Sequence, residues 1–464
     1  AFQEGKATVK FIEKYPELFV FRKKQDSGTK VLKFLADIQV NGNPDVTKTD
    51  PSRHFSHPRI PGAGLHIPPP KGSKDLLTEL GPEKFAQWLK NEKSVKFTDT
   101  TFRDAHQSLL ATRVRTIDMM KVAADFAARQ PQLFSMEVWG GATFDVALRF
   151  LHECPWKRLD QLREAIPNIC LQMLIRGNNA IGYAAYPDNL VERFIEDSWN
   201  NGKGVDIFRI FDSLNWTKSM AVSINAVRER TGGIAEACIS YTGDILDPKK
   251  TKYDLKYYLD LARELEDMGA HVLGIKDMAG LLKPYAAQLL VSELKKVIDI
   301  PIHLHTHDTA SVQCASYLKA IESGVDVVDV SLASMSGLTS QPNFNSLVES
   351  LRNTPYESTH DVKHLNEHSD YWETVREWYY PFESGLMAGT AEVYNHEIPG
   401  GQYSNLKPQA ISLGLGEKMP EIKQAYEDVN QLFGDIVKVT PSSKVVGDMA
   451  LFMVSNNLTK EDVM

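Results

Sequence analysis

Cysteine is scarce in this sequence: four residues in 464, Cys154, Cys170, Cys238 and Cys314, no two at CxxC spacing. That pattern excludes a disulfide framework and a thiolate metal cluster, and predicts reduced thiols in a reducing compartment. No stretch approaches the ~20 consecutive apolar residues that a membrane-crossing helix needs. Lys and Arg form no dense block, and a formal net charge of −8 argues against a surface that tracks nucleic-acid phosphates. Neither membrane nor nucleic acid is therefore an expected partner. Nothing at the start reads as a signal peptide, and the first residue is Ala1 rather than Met. The chain is expected to be a piece of a longer one, at work in a bacterial cytoplasm or a mitochondrial matrix.

What is present is ordinary for a globular protein: 42% hydrophobic and 24% charged residues. The length fits two or three domains, or one large barrel with additions. Residues 1–90 read as an irregular connector. It holds an apolar-rich segment at Lys30–Val40, a turn-prone Asn41-Gly42-Asn43-Pro44 and a proline-rich linker over Pro51–Gly72. The spacing over Leu76–Lys90 predicts one amphipathic helix. From Val95 a strand-forming segment recurs eight times, each followed by a helix-period stretch. The segments are Val95–Asp104, Phe134–Gly141, Cys170–Gly177, Val205–Ser213, Ile234–Gly243, Ala270–Gly280, Ile300–Thr309 and Val325–Gly337. One helix between them is drawn clearly. Asp254 caps it, Leu255, Tyr258, Leu259, Ala262 and Leu265 share a face, and Gly269 ends it. Eight βα units predict an α/β fold, a closed (β/α)8 TIM barrel over residues 91–355. After Asn353 the strand rhythm stops. Leu365, His368, Trp372, Val375 and Tyr379, then Ile422, Ala425, Tyr426, Val429 and Leu432, step at helical spacing. Residues 356–464 are expected to form a helical extension covering the barrel mouth.

Chemistry in such barrels collects where strands end and loops begin. Pro301–Asp308 puts His303, His305 and His307 at alternate positions, so a strand carries all three imidazoles on one face. Two of them with Asp104, at the end of the first segment, make an open-sided divalent metal site, while the third sits a layer lower. Arg103, Gln107, Asp145, Arg176, Tyr183 and Lys276 fall at the same rim. Taken singly, Asp104 also fits a helix cap, Arg176 a salt bridge and Lys276 a solvated rim residue or a partner of Asp277. Their coincidence at one rim favours a site.

The motifs DTTFRDAHQSLLATRVRT, EVWGGATFD, LIRGNN, FRIFDSLNW, SYTGDILDP, KDMAGLLKP, HLHTHDT, MSGLTSQP, EIPGGQYSNL and GDIVKVTPSSKVVGDMA resemble the carboxyltransferase domain of the pyruvate carboxylase family. The likeness runs from about Lys96 to Asn456, and Lys30–Val46 is similar to that family's connector from the biotin carboxylase part. The resemblance implies an enzyme, a ligase component, that moves a carboxyl group from carboxybiotin to pyruvate through an enolate. It implies a divalent metal, Mn or Zn, on Asp104, His305, His307 and a carboxylated Lys276. Arg176 would hold the pyruvate carboxylate, Gln107 the carbonyl, and Arg103 would support that pocket. Tyr183, Asp145 and Ser443 would hold the biotin ring, and Thr440 would shuttle a proton between substrate and biotin. Spacing alone reads Thr440 only as a helix start before Pro441.

The implied partners are pyruvate or oxaloacetate, biotin carrier and biotin carboxylase domains, and further copies of the chain, as a dimer of these domains within a tetramer. No ATP-grasp motif and no biotin-accepting Met-Lys-Met occurs, so the second half-reaction alone is expected, with biotin supplied from elsewhere. Where the family has Ser-Gly after His307-Asp308-Thr309, this chain has Ala310-Ser311-Val312, which puts the seventh loop's substrate contacts in question. The rival readings are a barrel lyase or Claisen-type condensing enzyme, an oxaloacetate decarboxylase or transcarboxylase subunit, and a non-catalytic scaffold.

Overall fold

The computed structural model describes residues 13–16, 27–41, 54–62 and 67–463. Its contacts divide it into two units, 1–54 and 55–464. In the first, Ser27–Asn41 is one helix. The turn expected after Asn41, the rest of the connector-like segment to residue 46, and parts of the proline-rich linker lie outside the described residues.

In the second unit eight parallel strands close on themselves in chain order, β8 pairing back with β1. They are β1 (Lys96–Asp99), β2 (Ser135–Gly140), β3 (Cys170–Ile175), β4 (Ile207–Ile210), β5 (Ile234–Ser240), β6 (Val272–Asp277), β7 (Ile302–Thr306) and β8 (Val327–Val330). Each lies inside its expected segment. The signal was readable because both faces of such strands are buried, one by the barrel interior and one by the helices, so the strands read as near-continuous apolar runs. The helix Leu255–Asp267 shows the same economy. The Asp254 carboxylate accepts from the Tyr257 amide at 2.8 Å, and Gly269 follows at φ +89°. Its buried stripe is Tyr258, Leu261, Ala262 and Leu265, with Leu255 and Leu259 half-buried at the margin.

One helix was expected over Leu76–Lys90; there are two, Ser73–Leu80 and Pro82–Asn91. Gly81 between them takes φ +75°, and Pro82, which lacks an N–H, opens the second. Leu77, Phe85 and Leu89 from this pair pack against Phe134, Cys170, Ile207, Ile234, Val272 and Val327 at the starts of the strands. The pair therefore closes the barrel floor. The tail divides its labour as well. Helix Val362–Trp378 buries Leu365, Tyr371, Trp372 and Val375 in the main barrel core, Trp372 edge-on to Phe102. Gly400–Ser412, Met419–Leu432 and Ser442–Ser455 build a separate apolar cluster from Leu406, Tyr426, Val446 and their neighbours.

Candidate active site

Directly after β1 the backbone makes one wide turn over Thr101–Ala105, the Ala105 amide reaching back to the Thr100 carbonyl. Wide turns of this type recur at functional sites. This one brings Arg103 and Asp104 to the strand end. Arg103 Nη1 donates to Asp104 Oδ1 at 2.8 Å and to Gln107 Oε1 at 2.9 Å, and its Nη2 pairs with Glu137 of β2.

β7 supplies His305, and His307 stands just beyond its end. His305 Nδ1 faces Asp329 Oδ2 at 2.6 Å, and His307 Nδ1 faces the Thr339 carbonyl at 2.6 Å. A carboxylate and a carbonyl only accept, so each Nδ1 carries the proton and each Nε2 keeps a bare lone pair. Those two Nε2 atoms lie 3.2 Å apart, and Asp104 Oδ2 is 3.4 Å from both. Three buried electron-pair donors converging with no hydrogen between them fit a divalent cation, with the outer carbonyl and carboxylate orienting the imidazoles. His303 is the layer below. Both its nitrogens face carboxylates, Glu236 at 2.8 Å and Asp329 at 2.6 Å. Burial works against its charge, but the two carboxylates win and raise its pKa, so it is held as an imidazolium and has no lone pair to offer a metal.

Lys276, at the end of β6, is buried, and its Nζ lies 3.3 Å from His305 Nε2. The sequence alternatives, a solvated rim lysine or a partner of Asp277, do not hold. Asp277 is engaged by the amides of Leu281 and Leu282 and by the Thr306 hydroxyl. Burial lowers the Lys276 pKa despite the pull of Asp104. Burial also works to raise the Asp104 carboxyl, but the Arg103 guanidinium beside it leads the opposing pull and holds it well below the usual carboxylate range. His305 and His307 are pushed down by burial first, with Lys276 adding to it, which keeps them neutral.

Above these groups opens a cavity of about 410 Å³. Its wall includes Arg103, Asp104, Gln107, Lys276 and His307 from the barrel, while His305 stands behind it. Arg176, Tyr183 and Asp145 line it from the loops, and Thr440 and Ser443 line it from the tail. Thus every expected site residue except His305 lines one opening. Arg176 Nη1 donates to the carbonyls of Ile181 and Gly182 at 2.9 Å each, and its guanidinium lies 5.0 Å from the centre of the Tyr183 ring. Asp145 is paired with Arg149 at 3.2 Å. Residues 308–312 are not in the cavity wall. Ser311 takes φ +59°, a left-handed conformation that glycine adopts freely, where the family has glycine.

Sequence reasoning missed several residues that support the site. Gln341 donates to Asp104 Oδ2 at 2.8 Å. Asp329 fixes His305, and Gly400 passes directly over His307. Asp329 carried a usable signal, as one of two carboxylates, with Asp326, in the apolar run of the eighth segment; Gln341 and Gly400 lay in motifs without an assigned role.

Two family models match the chain: one described as HMGL-like over residues 185–371 and one described as a conserved carboxylase domain over 393–464. The chain is 54% identical over 462 residues to a pyruvate carboxylase of Bacillus subtilis (strain 168), covering 100% of this chain and 40% of that protein. It is 50% identical over 466 residues to the mitochondrial pyruvate carboxylase of Homo sapiens, covering 99% and 39%. The chain thus spans about two fifths of the length of these curated relatives. Among solved structures it is similar to the carboxyl transferase domain from Rhizobium etli pyruvate carboxylase, with a TM-score of 0.88 and 51% identity, over 94% of this chain and 73% of that one. The same Rhizobium domain solved with pyruvate and biocytin gives a TM-score of 0.87 at 51% identity, over 94% and 73% of the two chains. The relatives include bacterial and mitochondrial proteins, and no helix among the described residues is long and apolar enough to cross a membrane.

Proposed function

We propose that this chain, which belongs to the pyruvate carboxylase family, transfers a carboxyl group from carboxybiotin to pyruvate and gives oxaloacetate. The observation that carries this reading is the cavity at which a metal-fitting triad, the half-buried Arg176 guanidinium and the Thr440 hydroxyl meet, with His305 of the triad just behind its wall. A divalent metal on Asp104, His305 and His307 would supply positive charge to stabilise an enolate, and Zn or Mn suits their nitrogen and oxygen donors. Biotin, delivered by a carrier domain, would bring the carboxyl group and accept a proton in return.

The chain's own residues then divide the remaining work. Arg176 holds the keto acid's carboxylate; two backbone carbonyls fix one of its nitrogens, and the rest of the guanidinium meets the cavity. Gln107 binds the ketone oxygen, with its side chain steadied by Arg103. The Thr440 hydroxyl passes one proton to biotin and takes one from the substrate's methyl group, without water that would consume the carboxyl group. Tyr183, Asp145 and Ser443 seat the biotin ring.

Lys276 is carboxylated in this reading. Its neutral amine adds to carbon dioxide and releases one proton to solvent, so that a neutral nitrogen becomes an anionic oxygen donor beside His305. The support is its burial and, among the described residues, the absence of a carboxylate within salt-bridge distance. Asp104 with two neutral imidazoles offers one negative charge, so a second anion better balances a divalent metal. Biotin carboxylase and carrier domains are the partners, and the chain works as a homo-oligomer. Metal analysis together with biotin-dependent oxaloacetate decarboxylation tests the reading. A metal-free protein without biotin-dependent turnover would overturn it, and dependence on acetyl-CoA would favour a condensing enzyme.

A further inference from the structure

We propose that Glu397 and Lys438 are positioning residues: their buried ion pair joins the two tail segments that wall the cavity and sets where the Thr440 hydroxyl stands over the substrate. The proposal rests on the role given to Thr440 above. It goes beyond that role by naming what holds the hydroxyl in place.

Glu397 follows the short helix Val393–His396 in a left-handed backbone conformation, φ +54°. Two residues on, the chain reaches the cavity wall at Pro399, then passes over His307 at Gly400. Lys438 lies on the other segment, two residues before Thr440. Its ammonium stands 2.7 Å from Glu397 Oε2 and donates to the Ile436 carbonyl at 3.0 Å. Both residues are buried, at 7% and 2% exposure. The loop after β5 completes the junction. Thr242 Oγ1 donates to Glu397 Oε2 at 3.3 Å, and Lys250 faces Oε1 at 3.5 Å. From the same loop Lys252 donates to the carbonyls of Gly434 and Asp435 at 2.5 and 2.7 Å, and the Tyr253 hydroxyl to that of Asp435 at 2.8 Å. The metal-side segment, the Thr440 segment and the barrel rim therefore share one carboxylate.

Adhesion alone does not explain ionised groups here. Taking two charges out of water roughly offsets their attraction, and apolar side chains of the same volume would hold the segments together as well. An ion pair adds a fixed distance and direction. Neither side chain lines the cavity, so neither touches the reactants, yet the atoms that must meet are one short backbone step from each. Misplacing a reacting group by about 1 Å costs on the order of 10²-fold in rate.

The test uses the whole chain with Glu397→Gln, Lys438→Met and Lys438→Arg, assayed for oxaloacetate decarboxylation with free biotin. In the first two, kcat should fall at least tenfold while KM for oxaloacetate and metal content stay within twofold. Lys438→Arg, which keeps the charge, should stay within about threefold of the parent. If a single variant fails to fold, the double Glu397→Gln/Lys438→Met, which leaves no buried charge unpaired, takes its place with the same expected loss. A kcat within threefold of the parent in the neutral variants overturns the proposal, as does joint loss of kcat, KM and metal. Amide hydrogen exchange over residues 437–445 reads the junction without turnover. It should quicken at least tenfold in the neutral variants with the barrel strands unchanged. Should the parent show no biotin-dependent turnover, the assigned function falls, and unchanged exchange in that peptide would separately remove the junction.

Discussion

At the scale of single residues the site depends on atoms that are absent. A Cβ at Gly400 would stand 2.6 Å from the Thr339 carbonyl oxygen and 2.9 Å from His307 Nδ1, inside the hydrogen bond that orients that imidazole. Gly400→Ala is expected to cost at least tenfold in metal content while the barrel stays folded, and full occupancy in that variant would show that the segment simply yields. Thr440→Ala should do the opposite. None of the metal donors lies near it in the chain, so metal content should stay normal. Decarboxylation should fall on the order of 10²-fold or more, the usual cost of losing a positioned proton carrier. Activity within a few-fold of the parent would remove Thr440 from the mechanism. A third residue gives a pH signature. Burial lifts the Asp99 carboxyl to about 7 from an ordinary 3.8, against two hydrogen bonds from Thr101 that favour its anion, while Asp329 adds to the rise. The folded state then holds a proton that the unfolded chain has released, so stability falls as pH climbs from 3.8 towards 7. Asp99→Asn, which keeps an oxygen for Thr101, should remove that slope and melt above the parent at pH 8. Parallel melting curves for the two proteins from pH 5 to 8 would refute it.

At the scale of elements, the two helices under the barrel act as a plug. Phe85 is fully buried and stacks on Phe134 at 5.8 Å among the strand starts. Phe85→Ala should cost about 3–5 kcal/mol of stability, seen as a lower melting temperature, with metal content unchanged because the site is at the other end. Coupled loss of metal and stability would mean that the floor and the mouth are not independent. This plug also marks where sequence reading ended. Strands and amphipathic helices repeat, so β1 to β8 and the stripe around Tyr258 and Leu265 were legible from periodicity. The break at Gly81-Pro82 was a local conformational demand lying across an apolar spacing that ran on unchanged, and the spacing hid it. Inward polar residues such as Glu137, Asp329 and Gln341 have no period at all. They are identified by what they touch across the barrel, and only coordinates bring those partners together. His305 and His307 were legible for the opposite reason: three histidines at alternate positions are conspicuous on a strand.

At the scale of the whole molecule, the site is shared between two cores that differ in size and construction. Asp104, Lys276, His305 and His307 all sit on or just past barrel strands, anchored in the large core that runs from Val95 to Val439. Thr440 stands at the seam, just after Val437 and Val439 of the large core. Ser443 opens the helix Ser442–Ser455, which packs in the far smaller cluster around Leu406, Tyr426 and Val446. A smaller apolar cluster resists denaturant less, and locally cooperative units open at their own free energies. The tail should therefore loosen before the barrel does. In rising urea the proposed carboxyl-transfer activity is expected to disappear while the metal is still bound and the barrel's circular dichroism is intact. Bound substrate touches both cores, so saturating oxaloacetate should move the activity midpoint upward towards the metal-release midpoint. The measurement is turnover, metal content and ellipticity on the same urea series. A single shared midpoint for all three, with and without substrate, would mean that tail and barrel unfold as one body and that this division of the site has no thermodynamic counterpart.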